Sequence, residues 1–263
     1  MIDIMNKISC ICASHLDHVD RLDALDRSIS ALKLQDVDII ISLSCDESLS
    51  ETLDAHFKDS DLVIIRQPRR LSQFEHLNHV IEMNLNEWCM FFDDDDLSHP
   101  NRVKKYMDAI NASHGAATVY CKNAQKSVCE QGAWRMALED IDAYDAHIGN
   151  GGQEYYMFAV RSDVLNYFCK HCGPGILELR ECDLMFRNFL RCLPCHVFEY
   201  EGWLYAKTMR SVTVPDESHM DELDLIWRTT VMPRLRRYPH FDEYTHTGKF
   251  RVMMFISSTQ WFG

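Results

Sequence analysis

The sequence predicts an α/β fold with a mainly parallel central sheet flanked by helices and a helical appendage at the C-terminal end. Two observations lead to this prediction. Strand-like and helix-like patterns alternate between residues 8 and 121, and most of the helical segments span roughly ten residues or more. Strands separated by such helices are joined by right-handed crossovers, which place neighbouring strands parallel.

The strands predicted in this first part are short apolar runs. They cover residues 8–12, 37–43, 62–65, 88–92 and 117–121. The helices between them carry apolar residues every three or four positions, which forms one buried face. The apolar face of the first helix is Val19, Leu22, Leu25, Ile29 and Leu32, and that of the third is Phe74, Leu77, Val80 and Ile81. The second helix covers about residues 50–57. Pro100 suits the first turn of a fourth helix that extends to residue 110.

The second part of the chain is less regular. Residues 123–153, which include Trp134, predict an extended loop region with at most one helix. A strand over residues 154–160 and a helix to residue 169 follow, and a further helix opens near Glu181 and Asp183. Residues 195–207 contain strand-like sequence, and residues from 215 onward predict the helical appendage, whose role the sequence does not indicate.

Composition excludes several classes of protein. The chain has 263 residues, of which 46% are hydrophobic, so it can bury a large core. Its net charge of −13 opposes binding to nucleic acid. No apolar run approaches a transmembrane segment and the first residues do not form a secretory signal, which predicts a cytoplasmic protein. The odd number of cysteines, 11, predicts free thiols.

An alternative to free thiols is that two CxxC pairs bind zinc. Cys169 and Cys172 form one pair, and Cys192 and Cys195 form the other, at a spacing that resembles a four-cysteine zinc site. The residues between the pairs show a helical pattern, whereas a zinc ribbon has short strands and turns there. Buried cysteine behaves as a small apolar residue at such helix ends. Structural zinc is therefore the weaker interpretation.

The acidic run (residues 93–96) is four consecutive aspartates directly after the apolar residues 88–92. Four like charges repel one another unless a cation lies among them, and Mn²⁺ and Mg²⁺ prefer oxygen ligands. Open α/β sheets bind ligands at the carboxyl ends of their strands. The run therefore predicts a metal site, and the alternative is a solvated acidic turn.

Taken in order, these segments resemble family-2-type inverting glycosyltransferases with a GT-A fold. The residues that carry the resemblance are the turn Ala13, Ser14 and His15, the end of the second predicted strand at Asp46, the helix segment 78–83, the block 91–100, and Glu181 with Asp183. The resemblance covers about residues 7–212 and depends on the order and spacing of these pieces. It implies a GT-A-type (Rossmann-like) sheet.

The resemblance assigns a nucleotide site. The turn of Ala13, Ser14 and His15 contacts the nucleotide, Asp46 contacts the base or ribose, and Asp94 reaches the ribose. The family's Asp-Asp-Gly pattern is broken here, because Cys45 precedes Asp46 and Glu47 follows it. Arg70, beside Arg69, is placed to bind diphosphate oxygens. The alternative is that the two are ordinary surface arginines.

The resemblance also assigns the metal and the base. Asp93 and Asp95 match the Asp-x-Asp pair that holds Mn²⁺ or Mg²⁺, with Asp96 in a supporting role and His219 as a weaker candidate for a third ligand. Asp183, or Glu181 as second choice, is the base that accepts the acceptor proton. The alternative is that both are ordinary acids of a helix first turn.

The resemblance implies a transferase domain over residues 1–212, divided into a nucleotide-sugar half (1–122) and an acceptor half (123–212), with residues 213–263 as the appendage. The donor is a nucleotide-diphosphate sugar, with a UDP-sugar favoured, and the acceptor is a glycan, a glycoprotein or another hydroxyl compound. Trp134 is a candidate to stack on an acceptor sugar or to fill a core.

Two rival functions remain at this point. A haloacid-dehalogenase-type phosphatase also places Asp-x-Asp after a strand, but that family usually has Thr or Val where Leu97 stands here. A non-catalytic sugar-nucleotide-binding protein would keep the fold without turnover. Substitution of Asp183 separates a transferase from such a binding protein.

Overall fold

The computed structural model describes residues 7–128, 137–143, 148–149, 154–208 and 217–242. Its strands are β1 (Ile8–Leu16), β2 (Asp38–Cys45), β3 (Val63–Arg66), β4 (Trp88–Phe91), β5 (Leu97–Ser98), β6 (Thr118–Lys122), β7 (Gln125–Val128), β8 (Ile148–Gly149), β9 (Phe158–Arg161), β10 (Cys195–Glu199) and β11 (Tyr205–Thr208). Its α-helices are α1 (Val19–Lys33), α2 (Ser50–Phe57), α3 (Gln73–Val80), α4 (Arg102–Ala112), α5 (Leu138–Ala143), α6 (Ser162–Cys172), α7 (Pro174–Leu177), α8 (Cys182–Arg191), α9 (Glu217–Ile226) and α10 (Met232–Leu235). A π-helical turn, Trp227–Val231, joins α9 to α10.

A seven-stranded sheet forms the centre of the fold, in the order β10-β6-β9-β4-β1-β2-β3. Strand β1 pairs in parallel with β2 and β4, and β9 is antiparallel to both of its neighbours. The predicted α/β class with a mainly parallel sheet is therefore confirmed. Because β1 is flanked by parallel strands, the turns after β1, β2 and β4 meet at one edge of the sheet, which is where ligands bind in such folds.

A second, four-stranded sheet lies beside this edge, in the order β5-β11-β7-β8. Strand β5 begins directly after the acidic run and pairs antiparallel with β11. This sheet was not predicted from the sequence. Its strands bring residues from the second part of the chain next to the aspartates.

One prediction in the second part is wrong. Residues 154–160 do not form a single strand, because Tyr155–Met157 form a 3₁₀ turn and only Phe158–Arg161 pair as β9. Both tyrosines of this turn, Tyr155 and Tyr156, are buried. The turn directs Tyr155 toward the acidic run, where its hydroxyl hydrogen bonds to Asp93.

Arg102 is a fully buried cation at the start of α4. Its guanidinium donates to the backbone carbonyls of Phe91 and Tyr156 and to the hydroxyl of Ser98, at 2.9 Å for the serine. It also lies 4.6 Å from the centre of the Tyr205 ring. These contacts pair both terminal nitrogens of a buried guanidinium without a carboxylate, while its Nε has no hydrogen-bond partner among the described residues. They join β4, the 3₁₀ turn and the second sheet.

The C-terminal helices pack on α6. Arg234 donates to the carbonyl of Cys172, and the Tyr238 hydroxyl donates to Asp163 at 3.0 Å. Val231 and Leu235 are fully buried in the main core. Residues 217–235 are thus helical, as predicted, and share the core of the sheet domain, while the domain division at residue 212 stays a prediction. Within the described ranges, no helix is both long enough and apolar enough to span a membrane.

Candidate active site

The acidic run makes a turn at the end of β4. The amide of Asp96 donates to the carbonyl of Asp93 at 3.3 Å, and the four side chains differ in exposure. Asp94 and Asp96 are only 5% and 3% exposed, whereas Asp93 and Asp95 are half-buried. The run therefore contains two buried and two half-buried aspartates, and their hydrogen-bond partners differ as well.

Asp94 ties the run to the first strand and the first helix. Its carboxylate accepts from the Ser14 hydroxyl at 2.6 Å and from Arg21 Nη2 at 2.7 and 2.8 Å. Although burial works to lower the pKa of Arg21, the neighbouring Asp94 carboxylate raises it. The predicted contact of Asp94 with a ribose stays a prediction, and in the structure this carboxylate connects β1, α1 and the run.

Asp96 ties the run to β11. Its carboxylate accepts from the Tyr205 hydroxyl and from the backbone amide of Thr208, both at 2.7 Å. Burial, and then the charges of Asp93 and Asp95, raise the pKa of Asp96 well above its usual range. Asp96 thus serves to hold the two sheets together, and the supporting role at the metal that the resemblance implies for it stays a prediction.

Asp93 and Asp95 are the half-exposed pair. Asp93 accepts from the Tyr155 hydroxyl at 2.9 Å and from Gln73 at 3.3 Å, and burial raises its pKa. The backbone carbonyl of Asp95 accepts from the Thr208 hydroxyl, which fixes the turn. These two are the residues that the family resemblance assigned to the metal.

The pair fits a metal ion that a substrate helps to hold. Nowhere in the described ranges do three His, Cys, Asp or Glu side chains come together as a ready-made metal cage. Mg²⁺ is commonly bound by one or two carboxylates, with phosphate oxygens and water as the other ligands. Asp93 and Asp95 supply such carboxylates. His219 lies instead 3.4 Å from Glu181, so it is not grouped with this pair.

Asp183 lies in the first turn of α8, and Glu181 is the N-cap residue of that helix. A helix N-terminus favours an ionised carboxylate. Burial and the nearby charge of Glu154 outweigh this effect and raise the pKa of Asp183 to about 7, and Asp93 contributes in the same direction. A carboxylate with this pKa suits proton transfer at neutral pH.

Lys207 is a cation among these acids that sequence reasoning missed. It lies on β11 with its Nζ 5.3 Å from the centre of the Tyr156 ring. Although burial works to lower the pKa of Lys207, the carboxylates around it raise it. These are Glu154, Asp96, Asp93 and Asp183. A lysine in a short strand gives no sequence signal, because its acidic neighbours come from three other segments.

Glu154 was also missed. It precedes the 3₁₀ turn, and its carboxylate lies 3.7 Å from Arg187 Nη1, one turn after Asp183 on α8. The charge of Glu154 raises the pKa of both Asp183 and Lys207. The charge of Glu154 therefore acts both on the predicted base, Asp183, and on Asp93 of the acidic run, whose pKa it also raises.

The predicted nucleotide residues lie at the ends of β1 and β2. His15 is paired in register with Ser44, and its Nε2 lies 3.4 Å from Asp46 Oδ1. Ala13 is half-buried on β1 and Arg70 is exposed. Burial and the positive charge of Arg70 lower the pKa of His15. The structure thus brings His15, Asp46 and Arg70 close together at the end of β1. Ser14, on the same strand, connects this region to the acidic run through its hydrogen bond to Asp94.

Two other predictions concern residues outside this site. Trp134 lies outside the described residues. Cys169, Cys172 and Cys192 are buried and Cys195 is exposed, all as free thiols, and in the described part of the chain they do not form a metal-binding group with other ligands. The absence of structural zinc stays a prediction.

The family is shown by a sequence model. The model of "Glycosyl transferase family 2" matches residues 19–172, which is more than half of the chain. The chain belongs to this family. The predicted resemblance and the enzyme class are therefore confirmed, and membership in glycosyltransferase family 2 sets the phosphatase alternative aside. No curated protein shows significant sequence similarity to the chain.

Solved structures agree on the fold. The S. aureus TarS 1–349 structure in complex with UDP is 15% identical, with a TM-score of 0.56, over 84% of this chain and 64% of TarS 1–349. The corresponding complex with UDP-GlcNAc is 14% identical, with a TM-score of 0.54, over 84% of this chain and 65% of TarS 1–349. This family 2 chain thus spans less than two thirds of the length of TarS 1–349 and shares its GT-A-like fold.

Proposed function

We propose that the protein transfers a sugar from a nucleotide-diphosphate sugar to an acceptor hydroxyl, with inversion at the anomeric carbon. The main support for the proposal is Asp183, a carboxylate with a pKa of about 7 that is close enough to Asp93 of the acidic run for that charge to raise its pKa. A base and a diphosphate-binding region in one site are the two parts that this reaction needs.

Asp183 accepts the proton of the acceptor hydroxyl as the hydroxyl oxygen bonds to the anomeric carbon. The bond from that carbon to the donor phosphate oxygen breaks, and the nucleoside diphosphate leaves with the electron pair. A single displacement of this kind inverts the configuration. Tyr155 and Gln73 hold the carboxylate of Asp93 through hydrogen bonds of 2.9 and 3.3 Å, which keeps the run in place during the reaction.

The departing diphosphate gains negative charge, which cations must offset. Asp93 and Asp95 would hold Mn²⁺ or Mg²⁺, and such an ion supplies Lewis-acid stabilisation of the leaving group. Lys207 adds a positive charge from the chain itself, and its raised pKa keeps it protonated at neutral pH. Arg70 is exposed near His15 and is available to the diphosphate from the nucleotide side.

A UDP-sugar is the favoured donor, with a hexosyl or pentosyl group transferred. TarS, which has the same fold, was solved with UDP and with UDP-GlcNAc, and this supports uridine as the nucleoside. The acceptor is a glycan, a glycoprotein or another hydroxyl compound. The acceptor half assigned to residues 123–212 contains Asp183, Glu154 and Lys207, which supports acceptor activation from that side.

A thermal-shift screen tests the donor part of the proposal. The protein is heated with UDP-, GDP- and TDP-sugars, each with Mn²⁺ and with EDTA, and release of UDP is then measured for the sugars that stabilise it. We expect stabilisation by a UDP-sugar that is larger with Mn²⁺. If no nucleotide sugar stabilises the protein under either condition, the proposal is wrong.

A further inference from the structure

Residues 225–241, at the end of the C-terminal helices, are positively charged in an acidic protein. They contain four arginines and no acidic residue, whereas the whole chain carries a net charge of −13. Arg228 is neutralised by Asp224, which lies 2.9 Å away. The other three, Arg234, Arg236 and Arg237, are exposed. The fold thus leaves three positive charges close together at the surface.

The end of α6 adds a fourth cation to these three. Arg234 Nη1 donates to the carbonyl of Cys172, the last residue of α6, at 2.5 Å. Burial raises the pKa of Tyr167 on α6 and the charge of Arg237 opposes this shift, so Arg237 lies beside the same helix. Lys170 is exposed between these two points. The four cations form the basic patch, which consists of Lys170, Arg234, Arg236 and Arg237.

The basic patch lacks a carboxylate partner in the part of the chain that the structure describes, since none of its side chains takes part in an ion pair there. Asp163, an exposed acid of α6, is already engaged. It pairs with Arg161 at 3.1 Å and accepts from the Tyr238 hydroxyl at 3.0 Å. Neighbouring cations repel one another, and an anionic partner removes that repulsion.

One member of the basic patch has a structural use. Arg234 binds a carbonyl at the end of α6, where backbone acceptors have no partner within the helix and a cation also favours the helix dipole. Lys170 lies in the last turn of α6 and gains from the same dipole. The guanidinium groups of Arg236 and Arg237 make no hydrogen bond to any described residue. These two are therefore available to a partner outside the chain.

The cations are spread out along α6 and do not converge on one point. Arg237 lies beside Tyr167 and Arg234 binds Cys172. Five residues of an α-helix span about 7.5 Å. A single phosphate needs guanidinium groups that converge on it, whereas an anionic surface offers charges at many positions. Leu225, which is 61% exposed, begins the same segment and adds an apolar side chain that suits a lipid surface.

The basic patch lies near the start of α8. Arg234 binds the carbonyl of Cys172, and Cys172 is a close neighbour of Cys182, the first residue of α8. Burial raises the pKa of Cys182, and Cys172 adds to the shift. Asp183 follows Cys182 directly. A surface bound by the patch therefore lies near the end of α8 that carries the predicted base.

We propose that the basic patch binds the surface of an anionic lipid membrane, with Lys170, Arg236 and Arg237 against the phosphate groups of the lipids. The attachment is peripheral and electrostatic. Because the rest of the chain is acidic and is repelled by the same surface, the protein binds in one orientation and salt weakens the binding. The attachment goes beyond the proposed transfer reaction and does not depend on it.

Vesicle sedimentation with the full chain tests the proposal without any nucleotide sugar. One set of vesicles is phosphatidylcholine alone, and the other contains about 30% phosphatidylglycerol, which gives an anionic surface. We expect binding to the anionic vesicles only. Binding should be lost when NaCl is raised from about 0.1 M to about 1 M, because the screening length falls from about 10 Å to about 3 Å.

A triple variant removes three cations and keeps Arg234, which holds the end of α6. Its substitutions are Lys170→Gln, Arg236→Gln and Arg237→Gln. Each basic residue near an anionic membrane contributes about five-fold to the affinity, so the variant should bind roughly 100-fold more weakly. The matched control removes the same net charge by substituting glutamine at three exposed lysines elsewhere, which are Lys58, Lys104 and Lys122. It should bind nearly as the wild type does.

Failure of the wild type to bind the anionic vesicles overturns the proposal, and so does equal binding by the triple variant. Release of the bound protein by soluble glycerol phosphate also overturns it, because the site would then bind a single phosphate group. If the triple variant does not fold, the variant with only Arg236→Gln and Arg237→Gln leaves α6 unchanged and should bind about 25-fold more weakly. None of these outcomes bears on the proposed transfer activity.

Discussion

Asp96 accepts a hydrogen bond from the backbone amide of Thr208 at 2.7 Å, while the hydroxyl of the same threonine donates to the backbone carbonyl of Asp95. The side chain of Asp96 is thus used to join the two sheets, and the side chain of Asp95 is left half-buried at the site. Two adjacent residues of the same type therefore have different surroundings, and substitution can show whether they have different roles.

Asp95→Asn and Asp96→Asn form a matched pair. We expect Asp95→Asn to remove the dependence of donor binding on Mn²⁺ and to change the thermal midpoint little. In Asp96→Asn an amide NH₂ replaces one of the two carboxylate oxygens that accept from Tyr205 and Thr208, so one buried donor loses its acceptor. The free energy of unfolding should therefore fall by about 1–3 kcal/mol. Calorimetry with Mn²⁺ and with EDTA, together with thermal melts, provides both measurements. Equal donor affinity of the wild type with EDTA and Mn²⁺ would count against the metal.

Asp183→Asn tests the catalytic base. The amide keeps the size of the side chain but cannot accept the proton, so turnover should fall by roughly 10²–10⁴-fold while the dissociation constant of the donor changes little. Glu181→Gln is the matched control two residues earlier and should have a milder effect. Steady-state transfer rates and donor titrations measure both. Near-full activity of Asp183→Asn would show that another group takes the proton.

The raised pKa of Asp183 also predicts an effect on stability. In the unfolded chain the carboxyl ionises near its usual pKa of 3.8, and in the folded protein it ionises near 7. The folded protein therefore binds the proton more tightly, and stability is lost as the pH rises from 3.8 toward 7. Asp183→Asn, which carries no charge, should have a higher thermal midpoint than the wild type at about pH 8, and this difference should shrink on acidification. Parallel melting curves would disprove the shift.

Thiol titration tests the interpretation of the cysteines. Burial raises the pKa of Cys169 to about 12, and it raises the pKa of Cys172 and Cys182 as well, so these thiols should react slowly in the native protein. Cys195, which is exposed, should react faster than these buried thiols. After denaturation all 11 should titrate as free thiols, and no stoichiometric zinc should be found. One zinc per chain that is lost on replacing Cys169 or Cys195 would restore the zinc interpretation.

Much of the sheet was predictable, because its strands are apolar runs whose order fixes a parallel arrangement. Strand β1 extends four residues beyond its predicted end at residue 12, and this extension holds Ser14 and His15. The 3₁₀ turn at Tyr155 was not predictable from its strand-like residues, because its hydrogen bond to Asp93 spans 62 positions of sequence. Strands β5 and β8 have two residues each, too few to show an alternating pattern.

The site was predictable where residues belong to a local pattern and was missed where they come from distant segments. Asp93 and Asp95 stand out because they follow an apolar strand. The partition of the run into half-buried and buried aspartates depends on Arg21, Tyr205 and Thr208, which are brought in by tertiary packing. The same holds for Lys207 and Glu154. Charge partners of this kind cannot be read from spacing along the chain.

The contacts of Arg102 predict how the protein would behave if the chain were cut into fragments. Its guanidinium binds the carbonyl of Phe91, at the end of β4, and that of Tyr156, which lies in the second part of the sequence. A fragment that stopped at residue 122 would keep the arginine but lose the carbonyl of Tyr156 and the stacked ring of Tyr205. The cation would then be exposed or unpaired beside the aspartates. Splitting the chain between the two predicted halves would therefore separate Arg102 from two of its partners, and the fragments would have to reassemble to recover these contacts.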